Sequence, residues 1–209
     1  LFVYWEMTAL SSVFLIWANR NERAYRAGMR YLVVQIGSGA LLFAGVLLYY
    51  RESGSLLFDQ LIGPDGGLGD AGLGVWLIFL AFGIKCAFPL LHNWLQDAYP
   101  QSTITGAVFL SAFTTKLAIY ALARGFPGTD ALIAIGVVMT LFPIFFAVIE
   151  NDLRKVLSYS LNNQLGFMVV GIGIGTELAM NGAVAHAFVH ILYKALLSMS
   201  MGAVLYRTG

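Results

Sequence analysis

The sequence predicts an all-α fold: a polytopic transmembrane helix bundle. Three observations carry this. Of 209 residues, 59% are hydrophobic and only 11% are charged. The mean hydropathy is +0.78. Apolar runs of membrane-spanning length alternate with short polar stretches. A soluble domain carries about 25% charged residues, so this chain lacks the polar surface that water would require. The net charge of +1 provides no electrostatic footprint for nucleic acid. The single cysteine, Cys86, excludes an intrachain disulfide and a cysteine-rich metal or iron–sulfur site, and reads as inert packing. The opening LFVYWEMTAL has no charged n-region or small-residue cleavage site, so it does not read as a signal peptide. The chain also stops at the end of an apolar segment, in VLYRTG, and reads as an internal piece of a longer protein.

About seven segments reach the roughly 20 apolar residues that a spanning helix needs: 1–18, 31–50, 72–90, 102–124, 129–150, 156–175 and 178–206. The arginine-rich ANRNERAYRAGMR separates the first two, and the acidic, glycine-rich RESGSLLFDQLIGPDGGLGD the next two. After the third, LHNWLQDAYPQ reads as a short interfacial helix, with Trp94 and Tyr99 suited to the headgroup zone. Alternating spans place Arg20, Arg23, Arg26, Arg30, Arg154, Lys155 and Arg207 on one side, and only Arg51 and Arg124 on the other. This asymmetry predicts that the arginine-rich side faces the cytoplasm of a cell inner (plasma) membrane.

The other basic residues fall inside the spans: Lys85 in LAFGIKCAFP, Lys116 in FLSAFTTKLAIY and Lys194 in HAFVHILYKAL. Glu6, in VYWEMTAL, is an acid at the same depth. Ionisable groups inside hydrocarbon are expensive and mark functional positions by default. His186, His190 and Lys194 are spaced i, i+4, i+8, so they share one helix face over about 12 Å. A ladder of protonatable groups on one face suits a proton relay. Desolvation loosens a lysine's hold on its proton and a nearby carboxylate restores it. A Glu6–Lys85 contact that forms and breaks would therefore switch proton affinity. Pro89 cannot donate to the carbonyl of Lys85, which predicts a broken helix near Lys85–Pro89, the device with which transporters coordinate ions near the midplane. Pro143 similarly frees the Met139 carbonyl, with no charge nearby.

Competing readings stand beside these. Lys85 lies near the end of its segment, where a lysine can snorkel to the interface. His186 and His190 also fit satisfied packing, metal ligation as an i, i+4 pair without an evident third ligand, or haem ligation needing a partner on a second helix, while His92 lies in a loop. The glycines of VGIGIGTEL follow no strand, so they read as close packing between spans rather than a nucleotide loop.

The stretches GIKCAFPLLHNWLQDAYPQSTITGAVFLSAFTTKLAIYALAR, ENDLRKVLSYSLNNQLGFMVVGIG and AHAFVHILYKALLSMSMGAV resemble the antiporter-like membrane subunits shared by respiratory complex I and the Mrp-type multisubunit Na+/H+ antiporters. The resemblance covers nearly the whole chain. It implies about fourteen helices in two inverted five-helix repeats, each with a broken helix. Residues 1–126 would supply about four helices of the first repeat, and 127–209 about three of the second. It also implies a proton pathway through Glu6, Lys85, Lys116, His186, His190 and Lys194, with Lys85 on the first broken helix and paired with Glu6. The second broken helix would lie beyond Gly209. Gln96 departs from the proline frequent in the family, and Leu161 and Asn162 depart from its serine pairs; these changes favour the antiporter-like or stand-alone branches.

The expected function is a proton-translocating membrane subunit of a multisubunit cation/proton antiporter or complex-I-like pump. Its partners would be other membrane subunits, the lipid bilayer and protons, with Na+, K+ or protons alone as the transported ion left open by the sequence, and no nucleic acid. No cofactor or metal is expected; redox chemistry, where present, would belong to partner subunits and make the whole a translocase. The alternative is a non-conducting membrane scaffold anchoring a peripheral enzyme.

Overall fold

The computed structural model describes residues 1–63 and 67–208. Residues 64–66 of the acidic loop, and Gly209, lie outside the described residues. All regular structure among the described residues is helical.

The first helix, α1, spans Phe2–Trp17. Asn21 then caps α2, Glu22–Ser53, by accepting the Ala24 N–H at 2.7 Å. The helix therefore starts nine residues before the apolar span predicted at position 31. Its added turns are amphipathic: Ala24, Ala27 and Gly28 are buried while Arg23, Arg26 and Arg30 are exposed. Gly54 ends it in the left-handed region, at φ 67°.

Next comes α3, Leu73–Cys86, antiparallel to α2. The two cross where Gly45 and Gly74 each meet the other's backbone: a Cβ on either would lie 2.9 Å from the other's carbonyl oxygen. The predicted break is present, but Pro89 is not its direct cause. Ala87 turns left-handed at φ 61°, and the Phe88 N–H reaches the Gly83 carbonyl at 2.9 Å while Ala87 N–H reaches Ile84. This is a Schellman stop, and Gly83 leaves room for the Phe88 ring over it. Pro89 follows two residues past the stop, where a helix has already ended. The Trp94 indole N–H also bonds the Ile84 carbonyl, at 3.0 Å. The chain resumes as α4, Asn93–Ala98.

The fourth predicted span runs Ile104–Gly125, but not as one regular helix. α5, Ile104–Phe109, passes through a π-helical turn, Leu110–Thr114, into α6, Thr115–Gly125. α7, Asp130–Ile149, runs straight through Pro143 without a break. It packs against α8, Leu153–Ile174, through Gly136 and Gly166, where an added Cβ would approach the facing backbone to within 2.8 Å. Of the glycines in VGIGIGTEL, Gly171 meets Ala179 and Ala183 of the last helix and Gly173 meets Ile133, so they serve packing. α9, Glu177–Thr208, closes the chain.

Among the described residues four helices are long and apolar enough to cross a membrane: α2, Ile104–Gly125, α7 and α9. The sequence count of about seven is not confirmed. α1 and α3 have only 16 and 14 residues, and α8 is diluted by Asn162, Asn163 and Gln164.

Two sets of contacts tie the helix ends together. At one end, Asn19 bonds the Gln101 carbonyl, Arg30 pairs with Asp97 at 2.7 Å and Arg154 bonds the Ser102 carbonyl at 2.7 Å. At the other, Arg124 bonds the Phe58 carbonyl and Leu61 N–H bonds Gly125. Burial is inverted relative to a soluble protein: Phe145 and Val148 are 71% and 79% exposed while Lys85 and Lys194 are 0% and 1%.

Candidate functional site: a buried line of lysines and histidines

Lys85 sits on the last turn of α3, one residue before its stop. It does not snorkel. Its ammonium turns inward and donates to the Trp5 carbonyl of α1 at 2.7 Å, with the Trp5 ring 4.2 Å away, a cation–π arrangement. Trp5 is itself held: its indole N–H donates to Ser38 at 3.2 Å, and Ser38 donates to the Ala81 carbonyl at 2.8 Å. Three helices thus position one ammonium.

Glu6 is the residue after Trp5, close enough for its charge to interact with Lys85. The direct Glu6–Lys85 ion pair expected from the family resemblance is not formed. Ion pairs among the described residues are Arg26–Glu22, Arg30–Asp97 and Lys155–Glu150. The Glu6 carboxylate lies instead against Gly39 of α2, where any Cβ would collide with it, and its Oε1 is buried without a protein partner. The lysine has taken the backbone carbonyl one residue earlier, so carboxylate and ammonium are neighbours rather than bonded.

Lys116 opens α6 and folds back on its own helix, donating to the Ser111 carbonyl in the π turn at 2.6 Å. It lies near Cys86, the residue after Lys85, and near Lys194, His190 and His186. Ser111 also joins its hydroxyl to that of Ser198 on α9, at 3.2 Å. Lys116 therefore stands between the two halves of the line.

On α9 the ladder continues. Its buried residues are Ala183, His190, Lys194, Ser198 and Gly202, and the last four repeat every fourth position. The helix thus turns a mostly polar face inward. His186 is half-buried, stacked on Phe167, with its ring 6.1 Å from that of His190. His190 packs edge-on against Tyr193, which donates to Gln164 at 3.1 Å; Gln164 in turn bonds Asn163. Both His190 nitrogens and the Lys194 ammonium are buried with no protein partner. Among the described residues no three of His, Cys, Asp and Glu gather as metal ligands.

Hydrogen bonds tie Lys85 to the carbonyl of Trp5, the residue before Glu6, and join Lys116 through Ser111 to Ser198, which shares a face of α9 with His190 and Lys194. Sequence reasoning missed the uncharged groups between them: Trp5, Ser38, Ser111, Tyr193, Gln164 and Ser198. Two signals were available. Ser198 continues the four-residue spacing from His186, and NNQ places three amides together inside an apolar segment.

A profile of the family described as NADH:quinone oxidoreductase/Mrp antiporter, TM, matches residues 1–209. The chain belongs to this family. Among its relatives, a Na(+)/H(+) antiporter subunit of Alkalihalophilus pseudofirmus is 32% identical over 222 residues, covering 100% of this chain and 45% of that protein. An NADH-quinone oxidoreductase subunit of Desulforudis audaxviator is also 32% identical, with 100% and 44% covered. The chain thus spans less than half the length of these curated relatives. A chain in the Mrp complex of Dietzia sp. DQ12-45-1b superimposes with a TM-score of 0.87 at 25% identity, over 97% of this chain and 40% of that one. A chain of the archaeal membrane-bound sulfane sulfur reductase does so at 0.87 and 26%, over 98% and 44%. The fold is that of an antiporter-family membrane subunit, and these relatives and structural matches are subunits of multisubunit membrane complexes.

Proposed function

We propose that this chain is part of a proton-translocating membrane subunit of a multisubunit cation/proton antiporter or complex-I-like pump. Protons pass along Glu6, Lys85, Lys116, Lys194, His190 and His186. One observation carries the reading. Lys85, Lys116, His190 and Lys194 are all at most 9% exposed, while large apolar side chains cover the outside. Desolvating four basic groups costs several kcal/mol each unless water and dipoles serve them, so their retention in one line points to use. The Glu6 carboxylate, one residue from the lysine's carbonyl partner, biases Lys85 toward the protonated state when close and releases it when displaced.

The finer organisation belongs to the same proposal. α1, α3 and α8 cross with the four longer spans, giving about seven. Residues 1–126 form part of one inverted repeat and 127–209 part of a second. The arginine-rich end faces the cytoplasm across the plasma membrane, other membrane subunits pack alongside, and Na+ or K+ is the countertransported ion of an antiporter assembly.

The test uses the full-length chain in its assembled complex, reconstituted in vesicles with a pH-sensitive dye. Lys85→Ala is expected to abolish proton movement and Glu6→Gln to slow it strongly, both with normal assembly. Unchanged movement in both would leave only the scaffold role.

A further inference from the structure

A charged corner lies where α1 turns into α2, away from the ionisable line. Arg20 makes the turn in the left-handed region, at φ 53°, a conformation unfavourable for a residue with a long side chain. It lines a surface pocket of about 310 Å³ together with Trp17, Asn21, Glu22 and Tyr25. Two acids at this end are already taken, Glu22 by Arg26 at 2.9 Å and Asp97 by Arg30 at 2.7 Å. Among the described residues Arg20 and Arg23 pair with no acid, so the corner keeps two uncompensated positive charges. Aromatic rings lead from it to the apolar surface. Tyr25 stacks on Trp17, whose indole N–H donates to the Tyr25 carbonyl at 3.3 Å, and the Phe14 ring meets Trp17 edge-on. From Phe14 a stripe of exposed apolar side chains continues along α1 through Leu10 and Met7 to Val3. Their spacing of four, three and four residues puts them on one helix face. At a rise of ~1.5 Å per residue the stripe covers about 16 Å. That is close to half of the roughly 30 Å hydrocarbon thickness, the depth of one leaflet.

We propose that this corner is a binding site for one anionic phospholipid of the leaflet at the arginine-rich end. The phosphate headgroup sits at Arg20 in the field of Arg23, the ester region lies against the Trp17–Tyr25 pair, and an acyl chain follows the stripe from Phe14 to Val3. Each part meets matching chemistry. A guanidinium takes phosphate oxygens through parallel N–H donors. Trp and Tyr rings suit the interfacial zone, where one edge is wet and the other apolar. The stripe gives an acyl chain a track but cannot tell one headgroup from another, so the two free arginines set the preference for negative charge. A soluble phosphate would satisfy Arg20 and leave the stripe uncovered. The site rests on the placement of this end at the bilayer surface proposed above, and not on proton movement.

The experiment uses the full-length chain in its complex, in phosphatidylcholine nanodiscs. Two probes are compared, phosphatidylglycerol and phosphatidylcholine, each a minor fraction of the lipid and each carrying the same photoreactive diazirine on an acyl chain. Cross-links are mapped by mass spectrometry. The anionic probe is expected to label the Val3–Phe14 face on the order of tenfold more than the zwitterionic one, as two basic side chains at an anionic lipid imply. Arg20→Gln should cut this excess about fivefold, and Arg20→Gln with Arg23→Gln should abolish it. Labelling by phosphatidylcholine should stay the same in every variant. Equal labelling by the two probes in the unmodified complex means ordinary annular lipid and overturns the site. No labelling by either means that a neighbouring subunit covers this face, and overturns it too. An excess that survives both substitutions places the charge elsewhere, with the same consequence. The first comparison needs no variant, so it decides even where the arginine substitutions prevent assembly. Cross-linking does not depend on transport, so a complex that moves no protons would strike the proposed function and leave this site standing.

Discussion

The two halves of the ionisable line are built differently. Around Lys85 protein groups are joined in a chain of hydrogen bonds: ammonium to the Trp5 carbonyl, indole to Ser38, Ser38 to the Ala81 carbonyl. The Lys194 and His190 nitrogens are buried with no protein partner, and Lys194 borders a cavity of about 30 Å³. The first half is a resting site closed by protein dipoles. On the proposed reading the second is served by water, the usual partner of buried polar groups that have no protein one. On that reading, a proton held at the first must break a charge-assisted bond to move, whereas at the second it exchanges with water.

The largest difference should appear on removing each lysine. Lys85→Leu is expected to stop proton movement and also to lower stability in detergent by about 1–3 kcal/mol, since it removes a charge-assisted hydrogen bond and a cation–π contact. Lys194→Leu should stop movement yet leave stability unchanged or raised, because an unbonded buried charge is replaced by an apolar group. Thermal unfolding of the two purified variants decides this, and equal losses would erase the contrast. Gly39→Ala should rank next. Its methyl group takes the position of the Glu6 carboxylate, the far end of a flexible side chain, so the carboxylate must move and proton movement should fall as in Glu6→Gln, with little change in stability. Wild-type transport in Gly39→Ala would show that the position of Glu6 is immaterial. Smaller still, Ser38→Ala interrupts the chain behind Trp5 and should cost about 1 kcal/mol with partial slowing. Smallest of all, Tyr193→Phe removes one hydrogen bond to Gln164 at the half-buried edge of the wet half, and its unfolding midpoint should barely move.

The charged half of this design was legible in the sequence because charge in hydrocarbon is costly and therefore rare. Glu6, the three lysines and the two histidines could be picked out by cost alone, and the spacing from His186 to Lys194 announced a shared face. The break after Lys85 was legible in place but not in cause. Pro89 suggested it, whereas Gly83, Ala87 and Phe88 make it, and a left-handed alanine leaves no mark in composition. The π turn at Leu110–Thr114 was not legible either, since its residues would serve an α-helix equally well. Nor was the preference of Lys85 for a backbone carbonyl over the neighbouring carboxylate, which is a choice of tertiary geometry. The serines and amides between the charges escaped notice because such residues are common and cheap at helix contacts. The early start of α2 was hidden by its arginines, which project outward from turns whose inner side is Ala24, Ala27 and Gly28.

Both halves meet at Lys116, bonded to the Ser111 carbonyl and near Lys194 and the residue after Lys85. Proton flux through the reconstituted complex carrying Lys116→Met therefore tests the central claim most directly. A continuous line predicts an assembled complex in which coupled proton movement is lost. Flux at the unmodified rate would contradict it, since protons would then cross without the group that joins the two halves.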